Sequence, residues 1–136
     1  MTAADPRRAN GARRTALRRE FATSDAPCWL CGMPIPRDVG HAHPYAMELD
    51  EVVPVSKGGD PLDRANIRRA HRCCNQWRGD MDAADAAKAA DAARAAFGRW
   101  SCPAEFVLFA RNAKSFAAKE EAKRKKNVQV VTSREW

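Results

Sequence analysis

"NIRRAHRCCNQWRGD", Asn66 to Asp80, is the stretch on which the fold turns. Arginine, alanine and glutamine are good helix formers, and Gly79 stands where a helix would stop. The pattern predicts a helix that starts around Asp63 to Asn66, either of which can act as N-cap, and ends near Gly79. On that helix His71 and Cys74 are three apart and lie one above the other on the same face. Cys73 is only two residues from His71 and points elsewhere.

A second pair sits upstream in "CWLCG", where Cys28 and Cys31 form a C-x2-C spacing. Thiolate and imidazole ligands from two such pairs make the closed tetrahedral set of a structural zinc site. One pair alone would be read as buried thiols and a solvated histidine. Two pairs flanking a β-prone segment favour Zn²⁺ held by Cys28, Cys31, His71 and Cys74. Cys102 lies outside the segment and reads as a packed or capping residue.

Between the pairs, "HPYAMELDEVVPV" has two β-prone runs flanking Asp50 and Glu51, which predicts a hairpin or a bent pair of strands. Pro54 should confine the second run to an edge or a bulge. "SKGGDPLDRAN", dense in Gly, Asp, Asn and Pro, reads as an ordered loop. The expected order is strand, strand, loop, helix.

The flanks are simpler. A chain of 136 residues fits one domain with a modest core. Its formal net charge of +7 suits a nucleic-acid partner. No run approaches the length of apolar sequence a membrane span needs, and the N-terminal residues lack a signal-peptide pattern. A reducing, cytoplasmic setting is therefore expected, where five cysteines suit metal better than disulfides. Residues 1–24 carry six arginines and read either as a frayed basic arm or as a short helix over roughly Ala12 to Ala22, with Leu17 and Phe21 as its apolar stripe. Residues 25–80 form the core domain, 81–126 a helical extension and 127–136 a tail or edge strand. In the extension, one alanine-rich helix should end at Gly98 and another should run from Pro103 to about Lys125. Phe106, Phe109, Ala113 and Phe116 make an apolar stripe on the second, for the core, the first helix or a partner's groove.

The run "LDEVVPVSKGGDPLDRANIRRAHRCCNQWRGD", with "CWLCG" upstream, resembles the zinc-containing HNH endonucleases of the ββα-metal fold. The resemblance covers Cys28 to Asp80, a little over a third of the chain, and rests on several weak motifs in a fixed order. It implies an α+β protein whose ββα-metal core is stapled by a Cys3His zinc site and extended by helices at both ends. It also implies hydrolysis of DNA phosphodiester bonds with Mg²⁺ or Mn²⁺. By position, Asp50 and Asn75 would be the protein ligands of that catalytic cation. Asn66 would pin the loop and hold the catalytic base in place, and Glu51 falls where the family carries the water-activating histidine. Small members of the family are frequent in bacteriophage genomes near packaging genes, so packaging proteins are implied partners and the host cytoplasm the implied location.

Glu51 departs from the family's Asp-His dipeptide. A free glutamate is a weaker base than a free imidazole by about two pK units, a handicap of tens- to a hundredfold for a full Brønsted response. Glu51 thus reads as a general base, as an extra metal ligand, or as the mark of a protein that binds DNA and no longer cuts it. His41 and His43 in "GHAHPYAM" either face Glu51 and substitute for it or form a polar loop pair. Lys57, Arg68, Arg69, Arg72 and Arg78 are the expected phosphate contacts, giving salt-dependent and largely sequence-independent binding. Trp29 and Trp77 read as packing residues. A catalytically impaired zinc protein that binds DNA or assists packaging is the alternative.

Overall fold

A computed structural model describes residues 10–132, with side-chain surroundings for all of these except 114–121 and 127–132. The chain mixes helices with one small sheet. Helix α1 spans Gly11–Ala22. Strands β1, Met47–Glu51, and β2, Ile67–His71, pair antiparallel with Met47 opposite His71 and Glu51 opposite Ile67. Helix α2, Arg72–Arg78, follows β2 directly, and α3, Ala83–Phe97, and α4, Pro103–Thr132, complete the order.

Two expectations are corrected here. Ile67–His71 is a strand, so the helix expected from Asp63–Asn66 begins only at Arg72. The helix-forming residues of this run are overruled by pairing with β1 and by burial of Ile67, Arg69, Ala70 and His71. The second β-prone run, Val52–Val55, forms no strand. Pro54 opens a short 3-10 turn, Val55–Lys57, and Gly58 closes it at φ 90°, a left-handed angle that favours glycine. At Gly59 a Cβ would lie 1.7 Å from the Val53 carbonyl oxygen, so only glycine lets the loop close. The true order is strand, loop, strand, helix.

Asn66 ties that loop. Its Oδ1 accepts from the Val53 amide at 2.8 Å, while its Nδ2 donates to the Val53 and Asp60 carbonyls. Residues thirteen apart are thus held together just before β2 begins.

Helix α1 lies on one face of the sheet, where Leu17 packs with Leu49 and Ile67. The larger core lies on the other side and joins Cys28, Leu30, Cys31, Ile35, Ala70 and Cys74 to the C-terminal helices. Ala86, Ala90 and Ala93 line one stripe of α3, and such small side chains let α4 approach closely with Phe106, Val107 and Ala110. Phe106 is fully buried against Trp77 and Trp100, with ring centroids 5.2 and 4.9 Å away. Phe109 stacks on Phe97 at 5.0 Å. The described part of the apolar stripe on α4 is therefore used within the chain; Phe116 lies outside the described side chains. Burying one such aromatic contributes about 2–3 kcal/mol.

Helix α4 continues to Thr132, so the stretch from Asn127 that was read as a tail or edge strand is helical up to that residue. Residues 1–9 of the N-terminal arm and 133–136 of the tail lie outside the described residues.

Candidate metal centre and groove

The two predicted ligand pairs converge. The ligand atoms of Cys28, Cys31, His71 and Cys74 lie within 4.8 Å of one another, and all four residues are buried. The geometry differs from the expected helical face. His71 is the last residue of β2 and the N-cap of α2, in extended conformation, and Cys74 sits in the first turn that follows. The turn from strand to helix brings the two together.

The upstream pair is held just as firmly. Residues 28–33 form a knuckle closed by Gly32 N–H to the Cys28 carbonyl, 2.8 Å, and Cys28 N–H to the Met33 carbonyl, 3.0 Å. Gly32 takes a φ of 78° to complete the turn. The knuckle docks on the outer edge of β2 through Trp29 N–H to the Arg69 carbonyl, 3.0 Å. Amides of Met33 and His71 approach the Cys31 and Cys28 sulfurs at 3.4 and 3.5 Å, contacts that stabilise thiolate charge. Trp100 Nε1 donates to the Cys31 carbonyl, fastening the knuckle to the segment that leads into α4.

The histidine tautomer follows from its neighbour. His71 Nε2 lies 2.9 Å from the Pro34 carbonyl oxygen, which can only accept, so Nε2 carries the proton. Nδ1 is then the nitrogen left to ligate a metal once its own proton departs, and it faces the Cys31 and Cys74 sulfurs at 3.3 and 3.8 Å. A carbonyl that fixes the ring of a ligating histidine is the usual outer-sphere arrangement. Charges crowd inside the cluster. Hydrogen bonds with Cys31 and Cys74 drive the Cys28 thiol far down, while hydrogen bonds with Cys28 and Cys31 drive the Cys74 thiol far up. Burial alone would lower His71, but hydrogen bonds to Cys28 and Cys31 hold it up at about 10. A divalent cation relieves such crowding by taking all four donors as their protons leave. These four residues are positioned to bind a metal ion.

On β1 the carboxylates alternate. Asp50 Oδ2 accepts both the Trp29 indole N–H and an Arg78 N–H, each at 2.8 Å. Burial pushes the Asp50 carboxyl up, against the pull of Arg78 and Trp29. Arg78 is wholly internal. It also donates to the carbonyls of Glu51, Val52 and Met81, and its guanidinium lies 5.1 Å over the Trp29 ring. One rung along, Asn75 Nδ2 donates to Glu48 Oε2 at 2.7 Å. Asp50 and Asn75 therefore lie on neighbouring rungs between β1 and α2, each with a different partner, and do not meet directly.

Glu51 points to the other face of the strand. Arg14 of α1 lies 3.0 Å from Glu51 Oε1 and donates to the Pro61 and Leu49 carbonyls as well. Sequence reasoning passed over both Arg14 and Glu48. Arg14 lies three residues before Leu17 and so shares its buried stripe, which was a usable signal. Glu48 shares a strand face with Asp50, but its partner Asn75 is evident only once α2 is known to begin at Arg72.

A groove of about 750 Å³ runs along the free edge of β1. Gly11, Arg14, Thr15 and Arg18 of α1 form one wall, and Arg72 and Asn75 of α2 the other. Glu48, Leu49 and Glu51 lie between them, with His41 and Ala42 at one side. Of the five expected phosphate contacts, Arg72 alone lines this groove. Lys57 is exposed on an ion pair with Asp82, 2.7 Å, and Arg68 is exposed with its guanidinium on the Ala65 and Ile67 carbonyls. Arg69 and Arg78 are corrected: both are buried, Arg69 tying the Ser24 and Ala26 carbonyls to β2. No helix among the described residues is long and apolar enough to cross a membrane. Compared with protein-family models, with curated proteins and with solved structures, the chain finds no significant match.

Proposed function

We propose that this chain is a zinc-stapled, metal-dependent DNA endonuclease of the HNH kind, working in the groove beside β1. The tetrad supports zinc: three thiolates and one imidazole, all buried, form a closed soft set that suits Zn²⁺ in a structural role. The strand–loop–strand–helix order around it, with Asn66 fastening the loop, supports the family reading.

The observation that carries the activity is the composition of the groove. Three arginines, two glutamates, an amide and a histidine line one cleft of about 750 Å³. Arg18 and Arg72 grip phosphate from opposite walls. The Glu48 carboxylate and the Asn75 amide oxygen are the oxygen donors for Mg²⁺ or Mn²⁺, with Asp50 behind them on the next rung. When bound, that cation supplies charge stabilisation at the phosphate and acidifies a water. Glu51, anchored by Arg14, borders the same cleft.

A second reading has a specific observation in its favour. Both acids of the Asp50-Glu51 dipeptide are paired with buried arginines, Arg78 and Arg14, as in a site kept for binding after cutting was lost. Nicking of supercoiled plasmid separates the two. The endonuclease nicks with Mg²⁺ or Mn²⁺, stops in chelator, and loses activity in Asn75→Ala while the melting temperature holds. A binding protein retards the plasmid and never nicks it.

A further inference from the structure

We propose that His41 is the proton acceptor of the groove, standing in for the residue at position 51. The proposal rests on the endonuclease reading and adds a catalytic residue to it.

Three histidines are present, and two are committed. His71 belongs to the metal cluster. His43 turns away: its Nδ1 accepts the Tyr45 amide at 2.9 Å and its ring packs edge-on against Tyr45. His41 is exposed and lines the groove, and among the described residues no hydrogen bond or ion pair engages its ring.

Its backbone, by contrast, is fixed. His43 N–H bonds the Gly40 carbonyl at 2.9 Å, which makes His41 the second residue of a tight turn. The next residue is anchored to the groove wall, since Arg72 donates to the Ala42 carbonyl at 2.7 Å and also faces Glu48 at 3.5 Å. A free imidazole is thus carried at the cleft on a held turn.

The other bases in the cleft are engaged. Glu51 is held by Arg14 at 3.0 Å with its side chain only 6% exposed, and Glu48 accepts from Asn75 and faces Arg72. Both carboxylates are therefore already occupied by partners within the chain. In the step itself, the water oxygen bonds to phosphorus as its proton passes to His41. The phosphorus bond to the leaving sugar oxygen breaks, and that oxygen takes a proton from solvent. The imidazolium then returns its proton to solvent.

The test uses the full zinc-loaded chain in a plasmid-nicking assay, with affinity for a short DNA duplex measured in parallel. His41→Gln should lose at least about 100-fold in rate at unchanged affinity. His41→Ala should be partly restored by added imidazole, and His43→Gln should cut like the parent. If His41→Gln cuts at the parental rate while Asn75→Ala is inactive, the proposal falls and the endonuclease reading stands. Loss in His41→Ala that imidazole does not restore also overturns it, marking the ring as a structural or phosphate contact. A parent chain that binds DNA and never cuts it ends both.

Discussion

Cys74 and Asn75 are neighbours in sequence, yet they open onto opposite kinds of site. Cys74 is fully buried and completes a buried cluster of soft donors. Asn75 faces a wide cleft whose donors are carboxylate and amide oxygens. One turn of α2 therefore faces two different surroundings, because successive helical residues point about 100° apart. A closed set of thiolates holds a scaffold together. An open set of hard donors leaves positions for water and phosphate. The comparison predicts that damage to the first is structural and damage to the second is functional.

The largest effect should come from the cluster. Cys74→Ala, or removal of the metal by a strong chelator, should unfold the chain, since structural zinc contributes on the order of 10 kcal/mol in small domains and this core is modest. Circular dichroism should show loss of the cooperative melt, and metal analysis should find one zinc per folded chain. A chelated protein that melts as before would remove the structural half of the comparison.

Next comes the buried rung. Asp50→Ala strands the Arg78 guanidinium, whose side chain is 0% exposed, and should cost about 3–5 kcal/mol in denaturant unfolding. Replacing both partners with apolar residues of similar volume should recover most of that loss. Should Asp50→Ala leave stability intact but abolish Mn²⁺ binding, Asp50 belongs to the groove and Arg78 is only its resting partner. Smallest in free energy are the walls. Arg18→Ala should change stability by less than about 0.5 kcal/mol, yet lower the slope of log affinity for DNA against log salt by about one. A slope unmoved in Arg18→Ala and in Arg72→Ala would place the DNA elsewhere.

What could be read from sequence follows the same division. The cluster was legible because cysteine and histidine announce their chemistry, and two short spacings sufficed. The conformation that assembles it was not. Ile67–His71 suits a helix locally, and its strand partner lies far upstream in β1 across the Asn66-tied loop. The groove was legible in part. Asn75 and Arg72 stood in the motif, whereas Glu48 and Arg14 enter through packing of β1 against α2 and α1. Arg78 was misplaced because an arginine's charge says nothing of whether it meets phosphate or a buried aspartate.

The central claim is that two ions occupy these two regions in separate roles. Titrating the zinc-loaded chain with Mn²⁺ and counting bound ions by electron paramagnetic resonance tests it most directly. The account predicts one Mn²⁺ site that disappears in the Glu48→Ala, Asn75→Ala double variant, with the zinc retained and the melt unchanged. Zinc-loaded, folded protein that binds no Mn²⁺, or a double variant that binds it as the parent does, would contradict the account.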